Sequence, residues 1–140
     1  TAGKPILEAL ERAQLSNALL VVIRYFGGVL LGTGGLVHAY QNGARIAIEN
    51  SVLVERLQGY LCEIKTDYGL LGKIQYLLKE AEIEILSSQF VENVILEVAL
   101  LPEQEEQLRT KLKSIFAGND GMEHVKQISF AMIDGTVVIL

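Results

Sequence analysis

The sequence predicts an α+β chain in two parts, an incomplete first domain over residues 1–58 and a ferredoxin-like βαββαβ domain over residues 59–140. Three observations lead there. Ala18–Ile23 is an unbroken apolar run that gives way, after Arg24, to five glycines between Gly27 and Gly35 and then to an amphipathic helix. From Tyr60 onward, period-two and helix-period apolar patterns follow one another as strand, helix, strand, strand, helix, strand. Between these halves Ser51–Gln58 keeps neither period, and Glu55 and Arg56 cut short the apolar Val52-Leu53-Val54.

Taken in order, Thr1-Ala2-Gly3-Lys4-Pro5 leads into Ile6, Leu7, Leu10 and Ala13, the apolar face of a short helix. Pro5 falls near its first turn, where a missing N–H breaks no helical bond, and Lys4 and Glu8 lie four apart on the outer side. Ala18–Ile23 reads as a strand covered on both faces. Such a strand needs neighbouring strands and two covering layers, so the first domain is expected to lack N-terminal strands. A helix follows from about Leu36 to Asn50. Leu36, Tyr40, Gly43, Ala44 and Ala47 recur on one side of it, and His38, Gln41, Asn42, Arg45 and Glu49 on the other.

In the second part Tyr60 to Asp67 alternates as a strand, and Leu70, Leu71, Ile74, Leu77, Leu78 and Ala81 form a helix face. Glu82 to Ser88 alternates again, and Val91 to Leu101 forms the next strand. Pro102 opens a helix carrying Leu108, Leu112, Ile115 and Phe116, and His124 to Ile133 returns to strand. Asp134-Gly135 has the form of a two-residue hairpin turn, so Thr136 to Leu140 is expected as a further, paired strand. Two helices on one face of such a sheet leave the other face free for a partner or for the first domain.

Gly32-Thr33-Gly34-Gly35 stands directly before the first long helix, so unpaired N–H groups and the positive end of the helix dipole face the glycine loop. That suits an anion, most often a phosphate, held by Thr33 and the Gly34 and Gly35 amides and neutralised by Arg24. The same glycines equally suit a tight turn and close helix–strand packing, with Thr33 or Gly34 as the cap. Candidate anion, nucleic-acid or partner contacts are Arg24, Tyr25, Gly27, Gly28, Gly32, Thr33, Gly34 and Gly35, with His38 and Arg45 nearby. Nucleotide motifs fail: a P-loop needs lysine and serine or threonine where Leu36-Val37 stand, and the third glycine of a dinucleotide fingerprint falls on Val37.

The formal net charge is −5 and unevenly spread, with five Lys/Arg and four Asp/Glu in residues 1–58 against seven and thirteen in residues 59–140. A polyanion therefore suits the first part, near Arg24 and Arg45, and not the second. The single cysteine, Cys62, excludes an intrachain disulfide, and its alternation with Tyr60 and Ile64 reads as a buried thiol. His38 and His124 lie in different domains without a carboxylate or cysteine at ligand spacing, and read as surface residues. Glu103, Glu105 and Glu106 sit at the start of their helix and Lys111 and Lys113 near its end, as the dipole favours. Glu82, Glu84, Glu92 and Glu97 fall on neighbouring strands, where they could gather as a metal site but read more simply as solvated strand edges. No nucleophile, base and orienting group assemble from local spacing, so no catalytic residue, metal or cofactor is expected. The longest apolar run is far short of the roughly 20 residues that span a bilayer, no secretory signal is visible, and a cytoplasmic protein is expected.

Thr1-Ala2-Gly3-Lys4-Pro5, the run Val21-Val22-Ile23-Arg24-Tyr25-Phe26-Gly27-Gly28-Val29-Leu30-Leu31-Gly32-Thr33-Gly34-Gly35-Leu36-Val37-His38-Ala39-Tyr40, and Cys62-Glu63-Ile64-Lys65-Thr66-Asp67-Tyr68 with Leu71-Gly72-Lys73-Ile74 together resemble the IMPACT family, in its bacterial branch. The resemblance covers essentially the whole chain. It implies a βαβ-type first domain like the fourth domain of elongation factor G, incomplete here, and a second domain like that factor's ferredoxin-like fifth domain. It also implies a link to translation or its regulation, with RNA, the ribosome or a translation-related protein as partner; a glycine loop without catalytic companions makes a non-catalytic binding protein the first reading, with no membrane or DNA-specific signal in the sequence. Two other readings stay open: a phosphate- or nucleotide-binding enzyme at the glycine loop, and an interaction module on the open sheet face.

Overall fold

The computed structural model describes residues 1–140 and divides into two compact units, Thr1–Leu53 and Val54–Leu140. The first unit holds α1 (Gly3–Arg12) and α2 (Gly32–Glu49), packed on each other. Its only buried residues are Pro5 in α1 and Ala44 in α2. Val22 reaches α2 at Gly43, where a Cβ would lie 3.6 Å from the Val22 Cγ1, an ordinary contact.

Two sequence expectations are corrected in this unit. Ala18–Ile23 forms no strand, and Leu19, Val21 and Ile23 are 91, 71 and 80% exposed. The unit contains no other strand, so the backbone has no ladder to join, and an apolar run alone does not create one. The helix also begins at Gly32, four residues before Leu36, which moves Gly32-Thr33-Gly34-Gly35 from the loop into its first turn. Leu31 is the N-cap and no side chain caps the helix, so neither Thr33 nor Gly34 plays that part.

The second unit runs β1 (Leu57–Thr66), α3 (Leu71–Glu80), β2 (Ile85–Phe90), β3 (Val94–Leu100), α4 (Pro102–Ile115), β4 (Met122–Ile133) and β5 (Thr136–Ile139). The sheet order is β2-β3-β1-β4-β5 and every pairing is antiparallel. Element order is βαββαβ with β5 added through the Asp134-Gly135 turn, whose two positive φ values, 50° and 77°, match a two-residue hairpin. β2 starts at Ile85, three residues later than Glu82, because the chain leaving α3 reverses through Glu82 at φ 55° while Ile83 N–H bonds back to the Leu78 carbonyl. β3 likewise starts at Val94 rather than Val91, since Val91 N–H turns back onto the Asn93 carbonyl.

Alternation on β1 and β3 sends Cys62, Ile64, Val94, Leu96, Val98 and Leu100 against Ile74 and Leu78 of α3 and Leu108 and Leu112 of α4. The opposite face differs from the expected open surface. Leu61, Ala99, Ile128 and Phe130 are buried there, with Leu57, Leu86, Leu101 and Val137 packed on them. The sheet curls over this second cluster, for Val137 N–H on the β5 edge donates to Glu84 Oε2, just ahead of the β2 edge, at 2.6 Å. Curling brings strands close at Gly59, where a Cβ would stand 2.2 Å from the Leu100 oxygen.

Candidate functional site

The residues singled out in the first unit divide between two separate concavities, apart from Gly28, Gly34 and Gly35, which line neither. Arg24, Tyr25, Gly27, Gly32 and Thr33 line one of about 710 Å³, together with Val22, Phe26, Leu30, Tyr40 and Gly43. Its rim is apolar and open, with Tyr25 93% and Phe26 92% exposed. The Arg24 guanidinium carbon lies 6.0 Å from the centre of the Tyr40 ring, within reach of a cation–π attraction that holds the charge beside the aromatic rim.

His38 and Arg45 lie elsewhere, on the α2 face that turns toward α1, and so do not join the glycine segment. They line a groove of about 470 Å³ with Arg12, Gln41, Asn42 and Glu49, floored by Ala9, Ala13 and Ile48. Helical spacing explains the split, since residues 36, 39, 40 and 43 share one side of α2 and residues 38, 41, 42, 45, 48 and 49 the other. Arg12 was the groove member missed in the sequence; the outward phase of α1, already marked by Glu8, would have pointed to it.

The glycines divide by physical need. Gly28 and Gly32 have φ values of 75° and 72°, which a side chain rarely adopts. At Gly35 a Cβ would meet the Leu31 Cβ at 2.9 Å. Gly27 and Gly34 answer to neither constraint, because nothing lies within 4 Å of a Cβ at either and neither has a positive φ. Both leave bare backbone facing solvent, Gly27 beside the aromatic rim and Gly34 among the unpaired amides of the first turn of α2.

The second unit contains the most ordered polar cluster, and sequence spacing hid it. His124 is partly exposed, but it is no free surface residue: its ring stacks on Tyr60 with centroids 4.4 Å apart, and its Nε2 meets Glu105 Oε1 at 2.6 Å. Arg109 donates to the same carboxylate at 2.8 Å, to Asp120 at 2.9 Å and to the Met122 carbonyl at 3.0 Å, tying α4 to the start of β4. Burial alone would raise the Glu105 carboxyl, but hydrogen bonds from Arg109 and His124 outweigh it and hold it below its ordinary value. At Asp120 burial is likewise outweighed, by the Met122 N–H and Arg109. Cys62 is fully buried, and that burial, with Glu105 nearby, pushes its thiol up to about 11, so it stays protonated and unreactive. Glu82, Glu84, Glu92 and Glu97 gather into no metal-binding group. Across the other face, Glu97, Glu63 and Glu123 stand directly opposite one another on β3, β1 and β4, which makes this unit a poor surface for a polyanion.

Comparison with known proteins places these two units in a common context. Residues 1–48 match the Impact N-terminal domain, and residues 64–119 match a Domain of unknown function (DUF1949). The chain is 48% identical over 97 residues to an IMPACT family member of Haemophilus influenzae, covering 67% of this chain and 46% of that protein. It is 34% identical over 119 residues to the IMPACT family member YigZ of Escherichia coli, covering 85% of this chain and 58% of that protein. A solved structure described as a hypothetical protein is 31% identical, with a TM-score of 0.50 over 89% of this chain and 59% of that one. The chain thus spans about half the length of the curated relatives it matches.

Proposed function

Because the chain belongs to the IMPACT family, we propose that it is a non-catalytic binding protein of translation or its regulation, with the segment from Arg24 to Gly35 as its contact surface. The observation that carries this reading is the rim itself: Tyr25 and Phe26 stand almost fully exposed beside an arginine steered by Tyr40, next to backbone left bare at Gly27. Exposed aromatic faces beside a guanidinium suit stacked, unpaired bases of RNA, and bare backbone admits a close partner. The acidic second unit supports the same assignment by exclusion, since a polyribonucleotide would avoid it. The likeness to the fourth and fifth domains of elongation factor G, which the family resemblance implies, favours the ribosome as the setting, and a cytoplasmic location belongs with it. No helix is long and apolar enough to cross a membrane.

The test is co-sedimentation with ribosomes and retention of ribosomal RNA fragments, comparing the protein with Arg24→Ala and Tyr25→Ala. Capture should fall about tenfold when both side chains are removed, because such residues carry a large share of contact energy. Capture that survives both substitutions unchanged would sink the reading.

A further inference from the structure

The groove between α1 and α2 is a second, independent feature, and its hydrogen-bond inventory is lopsided. Its carboxylate and the Asn42 amide oxygen are already used by Arg45: Nη1 donates to the two Glu49 carboxylate oxygens at 2.6 and 2.7 Å, and Nη2 donates to Asn42 Oδ1 at 2.8 Å. Donors are left over. The Asn42 amide nitrogen, the Nε and second Nη2 hydrogens of Arg45, the Arg12 guanidinium and a ring N–H of His38 have no partner within the molecule. Gln41 adds an amide that can present its nitrogen. Two guanidinium groups face one carboxylate there, so the groove keeps a positive excess even with Glu49 counted. The anchoring of Arg45 at three points also means that little side-chain freedom is lost when a ligand reaches it.

We propose that this groove binds a phosphate group, with Arg12 and Arg45 supplying charge and the His38 and Asn42 donors completing its shell. A site with two guanidinium groups, spare N–H donors and its one carboxylate already engaged by Arg45 selects a multidentate oxyanion over a cation. The phosphate would arrive as a backbone phosphodiester of RNA or as a free phosphate monoester. The proposal goes beyond the contact surface assigned to Arg24–Gly35 and does not depend on it, because the two lie on different sides of α2.

Amide NMR of the chain, titrated with inorganic phosphate and separately with oligouridylate at low and high salt, tests it. Phosphate should move the signals of residues 9–13 and 38–49 saturably. Arg12→Gln should weaken that response about five- to tenfold, and Glu49→Gln, which removes the one carboxylate, should strengthen it by a similar factor. A backbone source is indicated when oligouridylate binds more tightly than inorganic phosphate and loses affinity steeply with salt; a monoester source is indicated when it binds no better. Arg24→Ala should leave the groove signals untouched, so failure of one site is distinguishable from failure of the other. The proposal is overturned if phosphate leaves these residues unmoved, if its effect is the same in Arg12→Gln, or if Glu49→Gln weakens it.

Discussion

Thr1–Leu53 and Val54–Leu140 both carry long apolar runs, yet only the second closes over them. Every buried apolar residue forming the two core clusters belongs to the second unit, where strands alternate against two helices on one side and the curled sheet packs on itself on the other. In the first unit Leu19, Val21, Ile23, Tyr25, Phe26 and Leu30 stand mostly in solvent. Apolar pattern therefore specifies which residues prefer burial, while the presence of a partner element decides whether burial occurs. The exposed apolar and aromatic residues left open in this way are what the proposed contact surface rests on.

The sharpest way to break this comparison is to truncate one leucine from each unit. Leu112 is fully buried beneath the sheet, so Leu112→Ala should cost about 2–5 kcal/mol through lost transfer energy and the cavity left behind. Leu19→Ala removes a side chain that is 91% exposed and should stay within about 0.5 kcal/mol. Urea unfolding followed by circular dichroism measures both. Equal losses would mean that the first unit has a core of its own and that its open surface is not a binding face.

A pair of glycines sharpens the contrast at smaller scale. Gly59→Ala drives a methyl into the Leu100 carbonyl and the Phe130 ring, so the second unit should lose about 2–3 kcal/mol. Gly34→Ala meets nothing and sits in a helix, so α2 should gain about 0.5–1 kcal/mol from reduced backbone freedom in the unfolded chain. Amide exchange of α2 and thermal unfolding of the whole chain report the two effects. Loss of ribosome or RNA capture in a stabilised Gly34→Ala protein would separate binding from folding at a single residue.

Most of the second unit was legible in the sequence because its elements satisfy one another locally: Pro102 starts α4, Asp134-Gly135 closes a hairpin, and Cys62 alternates into the core. The misread strand at Ala18–Ile23 shows the reverse case, where a correct preference for burial was converted into a ladder that has no second strand. The start of α2 at Gly32 escaped because glycine reads as a helix breaker, although here Gly32 supplies a positive φ and Gly35 the room for Leu31 within that first turn. The split between the two concavities follows the helical phase already readable in residues 36 to 49, which sets His38 and Arg45 opposite Tyr40 and Gly43. The Glu105–Arg109–Asp120–His124 cluster was hidden because it forms only when β4 folds back beside α4, and no spacing rule brings His124 to a carboxylate nineteen positions away.

That cluster also supplies the gentlest test of the comparison, because its response to acid should be confined to the second unit. Glu105 and Asp120 are held below their ordinary values of 4.5 and 3.8 in the folded protein, so each binds its proton less readily folded than unfolded. The stabilisation they contribute is complete above those ordinary values and is lost as pH falls through the lower folded ones. Stability should therefore drop on acidification below about pH 4.5, and Glu105→Gln, which keeps the shape but removes the charge, should make that decline shallower. At neutral pH the same substitution should cost about 1 kcal/mol, discounted for the partial exposure of Arg109 and His124. Amide exchange between neutral and acidic pH should show protection falling first in α4 and the start of β4, with the α1 and α2 signals unaffected. A simultaneous loss in α1 and α2 would mean that the two units are energetically one body, and the exposed rim at Tyr25 and Phe26 would then have to be explained as part of a shared fold.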